Sequence, residues 1–230
     1  SLAPDSNNIP VISIQEHSFG VHALKFSPNS QNLLSLGVPH DGFLYVWKVS
    51  GLQVDCIAVN KCTSVVNGVE WLNEEDFITY GVRHVKFWRL EEGEKSRNAL
   101  QGKNVILNSF INCNFVYLDI ASVEEDKVPL FFLASNGDVY WYGLDDNSLK
   151  LKYRFEEGRK IGSILVDYAK EKLWFGDDDS MIKSLPLEEV DKYDVQPVSV
   201  AESTDSPSKA KFTPGVTFMH RVEKTGGLFY

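Results

Sequence analysis

The sequence predicts an all-β fold that is built from repeated four-stranded antiparallel sheets. Three short apolar runs, at residues 21–26, 33–36 and 43–47, show the alternation that is typical of half-buried β-strands. Turn-forming residues separate these runs, at 27–30 and 39–42. The three runs therefore predict an antiparallel meander.

The same unit returns further along the chain. Trp47 and Trp88 are 41 residues apart, which is the period of one four-stranded blade in a β-propeller. Three strands alone are marginal in water, so each unit needs a fourth strand, such as residues 53–59, and neighbours that cover its faces. We therefore predict a propeller of four-stranded blades, with about four to five blades in this chain.

The predicted domain organisation follows these repeats. In chain order it consists of a loose segment at 1–8, an outer strand at 9–14, blades at about 17–59, 63–110, 111–155 and 160–200, a flexible Ser/Pro/Lys-rich linker at 201–214, and the start of a further blade at 215–230. Propellers close with about four to eight blades. The sequence therefore predicts a partial propeller, completed by further chain or by another subunit; the alternative is that inserted loops disguise the true number of blades.

Apolar runs place the strands of the later blades. For the second blade they predict strands at 65–72, 76–81 and 84–90, followed by a charged insertion at 91–102. For the third they predict strands at 115–121, 130–135, 138–143 and 149–155, with an acidic loop at 122–127 and a tight Asn136-Gly137 turn. For the fourth they predict strands at 161–167, 172–176 and 180–185, with an outer strand near 195–200.

Four polar or aromatic side chains carry a family resemblance. His17, Ser35, Asp41 and Trp47 stand where WD-repeat propellers place the histidine before the first strand, the hydroxyl of the second, the aspartate of the next turn and the tryptophan of the third. The resemblance implies a hydrogen-bonded structural relay, in which buried polar groups that would each be costly alone are satisfied together. Lys48 departs from the family pattern, which has aspartate there.

The relay is predicted to weaken in the later blades. Trp88 and Trp141 hold the aromatic positions of the second and third blades. Thr79 supplies a hydroxyl for the second, but Val82 stands where the aspartate would be, and no histidine occupies the entry position. Packing must therefore hold that blade together.

Longer stretches narrow the resemblance. Residues 16–48 (EHSFGVHALKFSPNSQNLLSLGVPHDGFLYVWK), then 77–90, and more weakly 100–103 onwards, resemble the mitogen-activated-protein-kinase-binding WD scaffold family, which includes the microcephaly-associated spindle-pole scaffold. Residues 81–90 also resemble the echinoderm-microtubule-associated-protein family. Both resemblances imply a platform for other proteins, in kinase signalling, at spindle poles or on microtubules, and neither implies catalytic residues.

Charge, hydropathy and cysteine usage disfavour several classes of partner and location. The 230 residues carry a net charge of −9, which argues against nucleic acid as the main partner. The sequence has no run of 18 apolar residues and no basic-then-apolar leader, so we expect neither a membrane span nor visible secretion. An odd number of cysteines without metal spacing predicts free thiols in a reducing compartment, cytoplasmic or nuclear. The family resemblance adds the cytoskeleton or the spindle pole as an expected location.

The same polar residues are also compatible with catalysis. His17 and Asp41 could polarise the Ser35 hydroxyl as a catalytic set does, as in a propeller-borne hydrolase. The structural relay explains the same three residues together with Trp47, so we favour it. We predict neither catalytic residues nor a metal or cofactor. The remaining histidines lack ligand spacing, the acidic turn at 177–179 lacks the calcium-loop pattern, and 158–162 lacks the phosphate-loop spacing.

Two Ser/Thr-Pro sites in the predicted linker form a regulatory hypothesis. Ser206-Pro207, followed by Lys209, and Thr213-Pro214 fit the extended backbone that proline-directed kinases bind. Phosphate would add nearly two negative charges to a lysine-containing loop. An unmodified flexible linker is the alternative.

Overall fold

A computed structural model provides the structure of the chain. It describes residues 12–91, 93, 99–105, 107, 113–120, 130–143, 148–155, 161–167, 171–177, 181–186, 196–198, 220–221 and 228–229. These residues form strands, turns and irregular segments, without a helix among them. It follows that no helix in this part of the chain could cross a membrane.

The strands are numbered in chain order. They are β1 (Val21–Phe26), β2 (Asn32–Gly37), β3 (Phe43–Ser50), β4 (Gln53–Lys61), β5 (Val66–Trp71), β6 (Asp76–Gly81), β7 (His84–Glu91), β8 (Ala99–Asn104), β9 (Phe115–Ile120), β10 (Leu130–Ala134), β11 (Val139–Gly143), β12 (Ser148–Phe155), β13 (Ile161–Asp167), β14 (Lys172–Asp177), β15 (Ile182–Pro186), β16 (Gln196–Val198), β17 (His220–Arg221) and β18 (Leu228–Phe229).

Most strands pair with their neighbours in sequence. The first sheet has the order β1-β2-β3-β4 and the second β5-β6-β7-β8. The third consists of β9-β10-β11-β12 with β16 added to its edge, the fourth of β13-β14-β15, and β17 pairs with β18. In the first, third and fourth sheets, strands that follow one another in sequence pair antiparallel and form meanders.

The described residues form two compact units. The first comprises residues up to Thr79 together with Lys86–Lys103, and the second comprises Tyr80–Val85 and residues from Asn104 onwards. The first unit thus contains the first sheet and most of the second, while the third and fourth sheets belong to the second unit.

Each unit has a core in which two sheets pack face to face. In the first unit the core consists of Leu34, Leu36, Leu44, Val46, Ala58 and Cys62 against Val66, Val69, Trp71, Phe77, Trp88 and Leu90. In the second it consists of Phe131, Leu133, Val139, Tyr153 and Phe155 against Ile161, Ile164, Val166, Leu173 and Phe175. Fully burying one such side chain contributes about 1.5–3 kcal/mol, so each of these two contacts is a large source of stability for its unit.

Three sequence predictions about strands need correction. Residues 12–14 lie in no strand, and 9–11 fall outside the described residues; a strand requires a neighbour that takes up its backbone N–H and C=O groups. The predicted insertion at 91–102 overlaps β7 and β8, since Glu91 ends one and residues 99–102 begin the other. The outer strand near 195–200 is β16, which pairs in parallel with β12 and not with β15.

An ion pair joins the two sheets of the first unit. Lys25 Nζ lies 2.5 Å from Glu70 Oε1, and the Trp71 indole N–H donates to the Lys25 carbonyl oxygen at 3.0 Å. Burial raises the pKa of Glu70 above its ordinary value of 4.5, and the Lys25 ammonium opposes that rise. Desolvation of the carboxylate is therefore the larger effect at this contact.

Replacing Glu70 with glutamine should flatten the pH dependence of stability. Folded Glu70 holds its proton more tightly than unfolded Glu70, so its stabilising contribution is complete below pH 4.5 and is lost as pH rises through the raised pKa. The free energy of unfolding of the wild type should therefore fall relative to Glu70→Gln as pH rises from 4.5 through the raised pKa of Glu70, as measured by urea titration with tryptophan fluorescence. The exposed Glu75→Gln variant is the matched control, and an equal slope for wild type and Glu70→Gln would contradict the expectation.

Candidate functional site

Four side chains of the first sheet form a continuous chain of hydrogen bonds. The Trp47 indole N–H donates to Ser35 Oγ at 2.9 Å, and Ser35 Oγ lies 2.8 Å from His17 Nε2. His17 Nδ1 lies 2.5 Å from Asp41 Oδ2. An indole can only donate a hydrogen bond and a carboxylate can only accept one. With a neutral imidazole, every hydrogen bond in this chain then runs from Trp47 towards Asp41, because the serine hydroxyl donates to Nε2 and the Nδ1–H donates to Asp41.

The turn between β2 and β3 places the carboxylate at the end of this chain. The backbone N–H of Asp41 donates to the Val38 carbonyl oxygen at 2.8 Å, and Gly42 takes the left-handed conformation (φ 67°) that returns the chain into β3. Gly37 leaves the space that the relay fills, because a Cβ atom there would clash with the Asp41 carboxylate and lie 2.7 Å from His17 Nδ1. The sequence between Ser35 and Gly42 is thus fitted around the buried polar groups.

The order serine, histidine, aspartate also occurs in hydrolases, so its chemistry needs testing against its surroundings. The side chains of His17 and Asp41 are 6% and 2% exposed, and Ser35 is 4% exposed. The Ser35 oxygen already accepts the indole N–H of Trp47, and a nucleophile needs that electron density and an open approach for its substrate. The arrangement satisfies buried polar groups and leaves the hydroxyl closed to substrate.

The second sheet keeps one link of the relay. The Trp88 indole N–H donates to Thr79 Oγ1 at 2.9 Å, and both groups are buried. Arg83 in the β6–β7 turn has the left-handed conformation (φ 50°), and it precedes Trp88 by the same five residues that separate Gly42 from Trp47. Trp47 and Trp88 therefore hold the same place relative to their turns.

The third sheet departs from the predicted pattern. Its turn residue Gly137 is left-handed (φ 89°), and five residues further stands Tyr142, not Trp141. Trp141 packs against the core between the third and fourth sheets, and its buried Nε1 has no hydrogen-bond partner among the described residues. The prediction of Trp141 as the aromatic position is corrected to Tyr142, because neighbouring residues of a strand point to opposite faces.

The two faces of the first sheet differ in what covers them. Its Leu34 face carries the side chains that pack on the second sheet, and these are Leu34, Leu36, Leu44, Val46 and Ala58. The opposite face, which we call the Trp47 face, is formed by the cross-strand pairs that alternate with those of the Leu34 face. Its residues are Val21, Leu24, Phe26, Leu33, Ser35, Phe43, Tyr45, Trp47, Cys56, Val59 and Lys61. The Trp47 face is exposed at its edges, and sequence analysis missed it because alternation shows that a strand has two faces and not which one is covered.

An aromatic stack occupies the centre of the Trp47 face. The rings of Phe43 and Tyr45 are 5.8 Å apart and those of Tyr45 and Trp47 are 5.3 Å apart, both stacked. His17 meets Tyr45 edge-on at 4.9 Å, and Lys61 Nζ lies 4.9 Å from the centre of the Phe43 ring. Burial, followed by nearby negative groups, raises the pKa of Tyr45. The phenol therefore stays neutral, and the face is apolar with one cation at its edge.

Other residues singled out in the sequence have local partners. The Asp177 carboxylate accepts the Met181 N–H at 3.0 Å and lies 3.2 Å from Lys183 Nζ, while Asp178 and Asp179 fall outside the described residues. His22 Nε2 lies 2.9 Å from the Asn67 carbonyl oxygen. Within the residues that the structure describes, no group of three or more His, Cys, Asp or Glu side chains is arranged to hold a metal.

Several predicted features cannot be placed. Ser206, Thr213 and the acidic loop at 122–127 fall outside the described residues, as do residues 158–160 of the stretch 158–162. Phosphorylation of Ser206 and Thr213 therefore stays a prediction.

The fold defines the class of protein, which is a WD-like β-propeller made of small antiparallel sheets. The solved structure of the Dos1 propeller matches with a TM-score of 0.56 at 9% sequence identity, over 73% of this chain and 44% of that chain. At that identity the likeness shows the fold alone. No model of a known protein family matches the sequence.

Curated relatives are similar over part of the chain. Cilia- and flagella-associated protein 52 of pig (Sus scrofa) and mouse (Mus musculus) is 35% identical over 81 residues, and that of human (Homo sapiens) is 32% identical over 81 residues. Each match covers 33% of this chain and 13% of the relative. The chain thus spans about an eighth of the length of these relatives.

Replacing Ser35 with alanine should destabilise the first unit. The change leaves the Trp47 indole N–H and His17 Nε2 buried without their shared partner, which costs about 1–3 kcal/mol. Urea unfolding followed by tryptophan fluorescence measures the loss. Ser35→Thr is the matched control, because Thr79 serves Trp88 in the second sheet, and it should lose less. Equal stability of Ser35→Ala and wild type would show that the relay contributes nothing.

Proposed function

We propose that this protein is a non-catalytic scaffold that binds other proteins, and that its partners belong to microtubule-based cytoskeletal structures such as cilia. The observation that carries the proposal is the similarity to cilia- and flagella-associated protein 52, on a chain whose fold is a propeller. The buried Ser35 hydroxyl supports the non-catalytic part, since this hydrolase-like arrangement of serine, histidine and aspartate is closed to substrate.

The mechanism of such a scaffold is geometric. Buried sheet-on-sheet contacts keep each unit rigid, and rigid sheets hold the connecting loops in fixed positions where partners can dock. Several weak contacts on one rigid body give high overall avidity when the partners are themselves linked. The protein therefore needs no single deep pocket in order to bind specifically.

Charge bears on the kind of cytoskeletal partner. Tubulin presents an acidic surface, and a chain with net charge −9 is repelled by it at long range. We therefore infer that the chain binds protein components of the cytoskeleton and not the microtubule wall itself. The narrower assignments to kinase signalling, to spindle poles and to the echinoderm-microtubule-associated-protein family stay predictions.

Localisation and fractionation test the proposal together. A tagged chain expressed in ciliated epithelial cells should concentrate in the cilium or at its base, and it should remain with the detergent-insoluble cytoskeleton. In dividing cells, enrichment at spindle poles would favour the spindle-pole prediction. A diffuse distribution in both cell states, with full detergent extraction, would contradict the cytoskeletal assignment.

Purified tubulin separates direct from indirect binding. The chain should stay in the supernatant when polymerised tubulin is sedimented at physiological salt. Pelleting in proportion to tubulin would instead support the microtubule-associated alternative. Repeating the measurement at low and high salt controls for the electrostatic repulsion, which is screened within about 8 Å at physiological ionic strength.

A further inference from the structure

We propose that Asn136 is a site of spontaneous covalent modification, at which attack by the Gly137 backbone nitrogen converts the side-chain amide into a carboxylate. The inference is independent of the proposed scaffold function. It starts from the sequence, because an asparagine followed by glycine meets no Cβ atom beside the neighbouring backbone nitrogen. The chain has two such pairs, Asn67-Gly68 and Asn136-Gly137. The structure holds the two pairs in different surroundings, and this difference determines which one reacts.

The pair Asn67-Gly68 lies inside strand β5 of the second sheet. Asn67 is half-buried and Gly68 is buried, and the Asn67 carbonyl oxygen lies 2.9 Å from His22 Nε2. In an extended strand the side chain stands away from the backbone, so the side-chain carbon is held apart from the next backbone nitrogen. Attack at this pair therefore requires part of β5 to leave its sheet.

The pair Asn136-Gly137 forms the tip of the turn between β10 and β11. Asn136 is exposed, and Gly137 has the left-handed conformation (φ 89°). The Gly137 N–H donates to the Ala134 carbonyl oxygen at 2.9 Å. Moving this nitrogen towards the Asn136 side chain breaks that local hydrogen bond, but it leaves the paired strands on either side of the turn intact. The reacting groups can thus meet without unfolding of the sheet.

The next residue, Asp138, contacts both polar atoms of the Asn136 amide. Its backbone N–H donates to Asn136 Oδ1 at 3.2 Å, and Asn136 Nδ2 donates to Asp138 Oδ2 at 3.1 Å. A donor on Oδ1 stabilises the negative charge that develops on this oxygen during attack. The contact through Nδ2 holds the amide beside the turn backbone, and such positioning lowers the barrier further.

The reaction consumes one water molecule and releases one ammonia molecule. The Gly137 nitrogen gives its proton to a solvent base and forms a bond to Asn136 Cγ. The bond between Cγ and Nδ2 breaks, and the leaving nitrogen takes up a proton from solvent and departs as ammonia. Water then opens the five-membered imide at one of its two carbonyl carbons, which gives aspartate or isoaspartate. No oxidant or reductant takes part.

The product places a second carboxylate against Asp138. Asp138 is 5% exposed, and its Oδ2 accepts hydrogen bonds from Asn136 Nδ2 at 3.1 Å and from Arg154 Nη2 at 3.2 Å. The modification replaces the first of these donors with a negative charge, and like charges at this separation repel each other. The turn of the third sheet is therefore weakened with time, without the action of an enzyme.

Peptide mapping by mass spectrometry tests the proposal on the full chain. The folded protein is incubated at about pH 8, because the attacking nitrogen must lose a proton to base, and modification appears as a gain of about one mass unit. Asn136 should be modified about tenfold faster than Asn67, or more, because positioning alone can change a rate by that much. In concentrated urea the two sites should react at similar rates. Equal rates in the folded chain, an unmodified Asn136, or the same excess at Asn136 in urea would overturn the proposal.

Substitutions measure the effect of the product separately. Asn136→Asp places the carboxylate directly, and Asn136→Ser is the matched control, since its hydroxyl can still contact Asp138 without adding a charge. The thermal midpoint of Asn136→Asp should lie about 2–4 °C below that of Asn136→Ser, and the difference should shrink in high salt, which screens exposed charges. Circular dichroism checks that both variants fold. A midpoint of Asn136→Asp equal to or above that of Asn136→Ser would show that the modification does not weaken the sheet.

Discussion

A β-sheet with apolar side chains on both faces has to be covered on both faces, and this constraint governs the described part of the chain. Successive residues of a strand point to opposite sides, so a strand that alternates between two apolar sets cannot rest on a single layer. The first sheet meets the requirement on one side through Leu34, Leu36 and Val46, which the second sheet buries. The third sheet meets it through Leu133 and Val139, which the fourth sheet buries. Stacking of small sheets, one on the next, follows from this requirement, and it is the arrangement that a propeller extends into a ring.

The relay of the first sheet adds polar specificity to that packing. Trp47 brings an indole N–H into an apolar layer, and a buried donor without a partner costs about 1–3 kcal/mol. Ser35, His17 and Asp41 resolve this by passing hydrogen bonds outward to a carboxylate in the turn. A strand shifted by one residue would point its polar group to the wrong face, so the relay also fixes the register. In the third sheet Tyr142 stands at the position of the tryptophan, so that position brings no indole N–H into the layer.

How much the sequence could predict depended on the range of the interaction. Alternation and turn residues are local signals, and they predicted β1, β2 and β3. The turn at Gly42 and the polar residues between His17 and Trp47 all lie within one short segment of the sequence. The run Tyr140-Trp141-Tyr142 favours the wrong residue, because with three consecutive aromatic residues the sequence does not show which of them lies on which face of the strand. Counting from the turn at Gly137 would have selected Tyr142. The parallel pairing of β16 with β12 could not be predicted, because it joins residues more than 40 positions apart and no local pattern records such a choice.

The geometry of the Ser35 relay shows why function here cannot be inferred from residue identity alone. Serine, histidine and carboxylate within hydrogen-bonding distance are compatible with catalysis or with structure, and distance does not separate the two. The deciding group is the indole of Trp47, which occupies an acceptor site on the serine oxygen and lies with it beneath the sheet surface. A nucleophile must approach substrate with that oxygen, whereas a structural hydroxyl must hide it. The same burial that closes the hydroxyl leaves Leu24, Phe26 and Val59 open around it. The relay therefore has the geometry of a structural element, which satisfies buried polar groups and holds the hydroxyl away from solvent.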